Sequence, residues 1–435
     1  MDVIAGLSRA LDITEGHPAG HAARSCLIGL QLAAVLAVDE AGRTDLFHAL
    51  LLKDAGCSSN AARLNQLVGG SDHEAKRAVW LTDWRRWSEK LNYTVAFAGR
   101  GEGLLRRLGR LTRLAAVGPK AEQQLFQIRC DRGAAIALDL GLSRATAEAI
   151  RAMDEHWDGG GLPAGLRGHD IPLLAQIVGI AQVTEIFWQQ ADVRTAMDVL
   201  KRRAGRWFSP ALVRAARVVA RNERFWHDLR TGDPVELLHA VAPALVATDA
   251  AGLDRVVDAF AGVIDAKSPF THDHSRRVAD YAVAAAEILG FSAERLTRLR
   301  RAALLHDIGK LGVSNSVLDK PGSLTPDEWT AMRAHTRHTF EILERVPVFR
   351  EVAFDAACHH ERLDGSGYHL GLSGVALSPS ARVLAVADVT DALRSDRPYR
   401  AGLAIDRVAG MLTADAASGK MCPQSVTAMV EVLRA

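Results

Sequence analysis

Several things are scarce in this chain of 435 residues, and each scarcity excludes a class of protein. The five cysteines, Cys26, Cys57, Cys130, Cys358 and Cys422, are odd in number and widely spaced, with no C-x-x-C pair. That argues against a thiolate metal site and makes a reducing cytoplasm the simplest compartment. No apolar run approaches the ~18–20 residues of a membrane-spanning helix, and the opening MDVIAGLSRALDITEG lacks the basic start and apolar core of a signal peptide. Excess charge is missing too. Lys+Arg number 53 against 51 Asp+Glu, a formal charge of +2, which excludes a bulk nucleic acid as partner but leaves arginines free to bind a small phosphate ligand.

What is present is a globular composition, 48% apolar and 24% charged, in a chain long enough for two domains. Apolar residues recur at helical spacing almost throughout, so the expected fold class is all-α. In RRVADYAVAAAEILG, Val278, Ala282, Ala285 and Leu289 share a face and Gly290 is placed to end the helix. Thr325 and Glu328 form a capping box with Pro326 at the first helical position, which puts His335 inside the helix that follows. Residues 229–252 mix Gly, Pro and small side chains, so we place a linker there between domains at 1–228 and 253–435.

The halves repeat one pattern. GHAAR (20–24) lies on DHSRR (273–277) and LLKDAGC (51–57) on LLHDIGK (304–310), both offset by 253. DGGGLPAGLRG (158–168) lies on DGSGYHLGLSG (364–374) and AQVTE (181–185) on ADVTD (387–391), both offset by 206. Four phrases kept in order indicate an internal duplication, with 253 − 206 = 47 extra residues in the first copy after 57, around WLTDWRRWSEKLN.

The second half supplies His274, His306, Asp307, His335, His359, His360 and Asp388. Imidazoles and carboxylates suit iron, manganese, zinc or cobalt, and seven such groups are more than one cation needs. Two divalent transition-metal ions sharing a bridging carboxylate and a bridging water would use them. Singly, each residue is better explained as a hydrogen-bonded core histidine or a helix cap; together with HDIGK and the glycine-rich loop they are not.

These phrases carry a resemblance. The span from about 253 to 430 resembles the HD-GYP domain, the branch of HD-superfamily phosphohydrolases that hydrolyses cyclic di-GMP, through HDIGK, HHERLDGSGYH, VADVTDAL and RPYR. The resemblance implies tandem helical bundles, a metal centre built from the seven residues above, and opening of a cyclic dinucleotide to the linear dinucleotide or GMP. Two departures stand out. Phe270 occupies the position of a glutamate in three-metal members, so two metals are expected, iron or manganese, and the signature Gly-Tyr-Pro reads Gly367-Tyr368-His369. Alongside Asp307, Lys310 is suited to a phosphate oxygen or a metal-bound water. Arg397 and Arg400 offer planar forks to the second phosphate, and Tyr368 either stacks on a base or packs the loop.

In the first copy the ligand positions become Lys53, Arg129, Met153, Asp154 and Gln182, and only His21 and Asp54 keep ligand identity. A lysine and an arginine repel cations, so this degenerate repeat is expected to hold no catalytic metal. Two roles remain open for it: a regulatory or dimerising domain that meets a partner, with a pocket able to hold an anion near Lys53 and Arg129, or a structural remnant covering apolar surface of the second half. Rivals for the second half are an HD-type phosphohydrolase of another nucleotide or phosphoester, and a non-catalytic nucleotide receptor.

Overall fold

The computed structural model describes residues 3–63, 78, 81–82, 87–97, 103, 107, 109, 119–241, 250–396 and 401–435. Among these residues there are helices and short 3-10 turns, two isolated β-bridges and no β-strand, and the fold is all-α. The chain divides into two compact units, residues 1–252 and 253–435. None of the five cysteines is in a disulfide, and all are buried. Among the described residues no helix is long and apolar enough to cross a membrane.

The duplication is visible helix by helix. His21–Val35 shifted by 253 gives His274–Ile288, and Glu40–Leu52 gives Ala293–Leu305. Arg144–Arg151 shifted by 206 gives Arg350–Ala357, and Leu173–Gln190 begins where Pro379–Arg394 does. Most of the inserted span lies outside the described residues, apart from a helix Trp87–Phe97.

Local chemistry fixes the ends of the helices that matter. Ser292 caps its helix by accepting from Arg295 N–H, and Ser378 accepts from Ala381 N–H with Pro379 in the first turn. The capping box of Thr325 and Glu328 is formed, and His335 is buried in the helix Pro326–Leu343. Val278, Ala282 and Ala285 are buried on one face of His274–Ile288, and Gly290 ends that helix at φ 75.

One expected boundary differs. Within 229–252, read as a linker, Pro234–Val241 is helical, and Asp233 Oδ1 accepts the N–H groups of Val235 and Glu236. Asp-Pro therefore acts as a helix start here rather than a breaker, and Pro234 packs against Gly20 of the first unit.

Candidate metal centre

The seven residues named from sequence come from five segments of the second unit and converge in its interior. His274 opens one helix, His306 and Asp307 follow another, His335 and Asp388 lie within two more, and His359 and His360 follow the short helix Arg350–Ala357. Gly309 explains how the HD segment gets so close to His335. A Cβ on it would lie 1.9 Å from the His335 carbonyl oxygen, so only glycine lets the two backbones meet. Thr339 Oγ1 locks the approach, donating to the His306 carbonyl and accepting from Gly309 N–H.

Asp307 sits between two sets of donors. Its Oδ1 lies 3.6 Å from both His335 Nε2 and His359 Nε2. Its Oδ2 lies 3.3 Å from His306 Nε2 and 3.6 Å from His274 Nε2. Asp388 completes the arrangement, with Oδ1 3.4 Å from His274 Nε2 and Oδ2 3.6 Å from His360 Nδ1. Three of the groupings within metal-ligand reach are His335 with His359 and His360, His274 with His306 and Asp388, and His306 with Asp307 and His359.

Outer partners aim the rings. The Nδ1 atoms of His306, His335 and His359 each lie 2.6 Å from the carbonyl three residues earlier, those of Ala303, Met332 and Ala356. Each imidazole thus donates outward and turns a lone pair on Nε2 toward Asp307. His274 instead places Nδ1 2.6 Å from Asp391 Oδ2, and Arg277 Nε donates to the other oxygen of Asp391.

Protonation states suit ligation. Burial pushes His335 down to about 3 and His360 to about 4, and holds His359 well below its usual value, so all three are neutral imidazoles. Burial alone would raise Asp307 and Asp388, but the surrounding histidines, with Lys310 beside Asp307, hold both well below the usual carboxylate range. His274 is the exception. Burial would lower it, yet the nearby carboxylates of Asp307, Asp388 and Asp391 raise it well above normal, so a cation there displaces a proton. The donors also fit a metal by a simpler test: His306 Nε2 and Asp307 Oδ1 are buried without a hydrogen-bond partner.

Of the other named residues, Lys310 places Nζ 2.5 Å from Asp307 Oδ2. Tyr368 packs its ring against His360, centroids 4.8 Å apart, with Arg333 5.4 Å over it. Phe270, exposed, lines a cavity beside Asp307. Arg397 and Arg400 lie outside the described residues. Sequence reasoning missed Asp391, Arg277 and Arg333, although the repeat itself flagged the first, since AQVTE on ADVTD pairs an acid with Asp391.

The first unit keeps the outer partners and, of the seven ligand positions, only His21 and Asp54. His21 Nδ1 lies 2.5 Å from Glu185 Oε2 and Arg24 Nε donates to Oε1, repeating His274, Arg277 and Asp391. Lys53 and Arg129 are each paired with an acid, Lys53 with the retained Asp54 and Arg129 with Asp154, which stands where His360 does.

Comparison with known proteins follows the same lines. The chain matches the HD domain over residues 111–212 and 258–423. It is 40% identical over 413 residues to the 3'3'-cGAMP-specific phosphodiesterase 3 of Vibrio cholerae, covering 94% of this chain and 90% of that one. It is 45% identical over 132 residues to a cyclic di-GMP phosphodiesterase of Thermotoga maritima, covering 30% of this chain and 36% of that one. A crystal structure of a cyclic GMP-AMP specific phosphodiesterase of Vibrio cholerae superimposes with a TM-score of 0.68 at 34% identity, covering 99% of this chain and 97% of that one.

Proposed function

The chain belongs to the HD-domain family, in its HD-GYP branch, and from that premise we propose that residues 253–435 form a metal-dependent phosphodiesterase opening a guanine-containing cyclic dinucleotide, 3'3'-cGAMP or cyclic di-GMP, to the linear dinucleotide. The observation that carries the reading is Asp307, whose two oxygens face different histidines in a buried site. One divalent cation would take His335, His359, His360 and Asp307 Oδ1, and a second His274, His306, Asp388 and Asp307 Oδ2. The ligand chemistry suits iron or manganese. When bound, such cations acidify water to a nucleophile and neutralise charge at phosphorus.

The chain's own groups do the rest. Lys310, partly exposed beside Asp307, turns an ammonium toward a phosphate oxygen. Arg397 and Arg400 are proposed to hold the second phosphate as planar forks. Tyr368 packs over His360 and steadies its ring.

Anaerobically purified protein should carry close to two metal ions per chain and open at least one of 3'3'-cGAMP and cyclic di-GMP. Asp307→Ala should lose both metal and turnover, read by elemental analysis and product chromatography. A metal-loaded protein that cleaves only simple nucleotides would make it a phosphohydrolase of another class, and binding without cleavage would make it a receptor.

A further inference from the structure

Beside Asp307 lies a cavity of about 170 Å³, lined among others by Ser268, Phe270, Lys310, Asp319, Lys320 and Met332. A space of ~150 Å³ accepts a benzene ring, and this cavity is partly open to solvent, so a purine edge can enter it. Its walls are mixed. Phe270 and Met332 offer apolar surface, while Asp319 and Lys320 place an acceptor and a donor side by side in the chain.

Both polar groups are held in place. Asp319 Oδ1 accepts from Ser268 Oγ at 2.6 Å and Oδ2 from Asn315 Nδ2 at 2.7 Å, which orients the carboxylate and leaves each oxygen a further lone pair. Lys320 Nζ rests 2.5 Å from Glu328 Oε2 with part of its side chain exposed. Asp307 and Lys310 belong to this wall and to the metal cluster alike, so a nucleotide whose phosphorus lies at the cluster has its own base within reach of the cavity.

We propose that this cavity is a base subsite and that Asp319 and Lys320 make it read guanine. The proposal rests on the phosphodiesterase reading above. Guanine presents two adjacent donors, N1–H and the N2 amino group, next to the O6 acceptor; adenine presents one amino donor next to an acceptor nitrogen. An ionised carboxylate only accepts, so it pairs with both guanine donors but meets a repelling lone pair on adenine. Lys320 supplies the matching donor to O6 or N7. Phe270, exposed at the cavity wall, gives the base an apolar face.

The test has a binding arm and a turnover arm. Metal-free full-length protein is titrated with GMP and with AMP by calorimetry. Wild type should prefer GMP, and Asp319→Asn and Lys320→Met should each reduce that preference roughly ten- to hundredfold, the worth of one good bidentate base contact. Lys320→Met leaves the bonds from Ser268 and Asn315 intact, so it separates base reading from a folding defect in Asp319→Asn. In turnover, the metal-loaded variants should raise KM for guanine-containing cyclic dinucleotides and leave bis(p-nitrophenyl) phosphate, which has no base, unchanged. Equal GMP and AMP affinities in wild type, or parallel losses on the base-free ester, would overturn the subsite. GMP preference without turnover of any cyclic dinucleotide would keep the subsite and remove the phosphodiesterase reading, whereas turnover with unaltered base preference in both variants would do the reverse.

Discussion

His335 is a residue whose burial sets the sign of a pH effect. Burial takes it from an ordinary 6.5 to about 3 in the folded, metal-free protein. Below pH 6.5 the unfolded chain therefore binds a proton that the folded chain refuses, and the slope of stability with pH is positive across that window. The contribution of the neutral ring is complete above about pH 6.5 and is eroded as pH falls toward 3. Compared with His335→Gln, which cannot titrate, metal-free wild type should lose relative thermal stability steadily over that interval. Melting temperatures of the two proteins measured across it would check this, and a difference that widens as pH falls would contradict the assignment. The same logic explains why the donor set is ready for a cation near neutrality: the rings of His335, His359 and His360 are already deprotonated, while His274 has a proton to give up.

At the scale of the element, the loop after His360 is built on one carboxylate. Glu361 accepts N–H bonds from Leu370, Gly371 and Leu372 at 2.7, 3.3 and 3.0 Å, and Glu155 does the same for Ala164, Gly165 and Leu166 in the first unit. His369 sits in that loop at φ 102. Proline is locked near −65°, so the signature proline has no place on this backbone, and His369 is not simply a stiffener lost. His369→Pro should lower both melting temperature and kcat/KM by reshaping the loop that carries Tyr368 onto His360, while His369→Gly should be tolerated. An unchanged or faster His369→Pro enzyme would show that the loop adopts another path. The sequence made the helices legible, because Thr325, Glu328 and Pro326 announce a start and Val278, Ala282 and Ala285 a buried face. It left this loop illegible, because nothing in the letters of a non-glycine residue reports a positive φ, and Glu361 looks like a surface charge until its three backbone donors are seen.

For the whole molecule, duplication has produced two answers to one electrostatic problem. Each unit gathers acids in its interior, and each must neutralise them. The second unit's donor set fits metal cations. The first supplies charge covalently, with Lys53 against Asp54 and Arg129 against Asp154, inside the same frame of His21, Arg24 and Glu185. The loss of ligands was plain in the aligned phrases. The pairing that replaces them was not, because Asp154 stands where His360 does and its partner lies 25 residues away in sequence. Lys53 and Asp54 are both buried, so Asp54→Ala should leave an ammonium without its carboxylate and cost on the order of 3–5 kcal/mol, the usual penalty for stranding one member of a buried pair. Replacing both, Lys53→Met with Asp54→Leu, should restore much of that stability, since an apolar pair of similar volume carries no desolvation cost. Metal content and turnover per folded molecule should stay at the wild-type level in both variants. Calorimetric melting combined with elemental analysis decides the point. If Asp54→Ala instead removes metal while the fold stays intact, the first unit is a metal site after all, and its lysine and arginine are not the substitutes for a cation argued here.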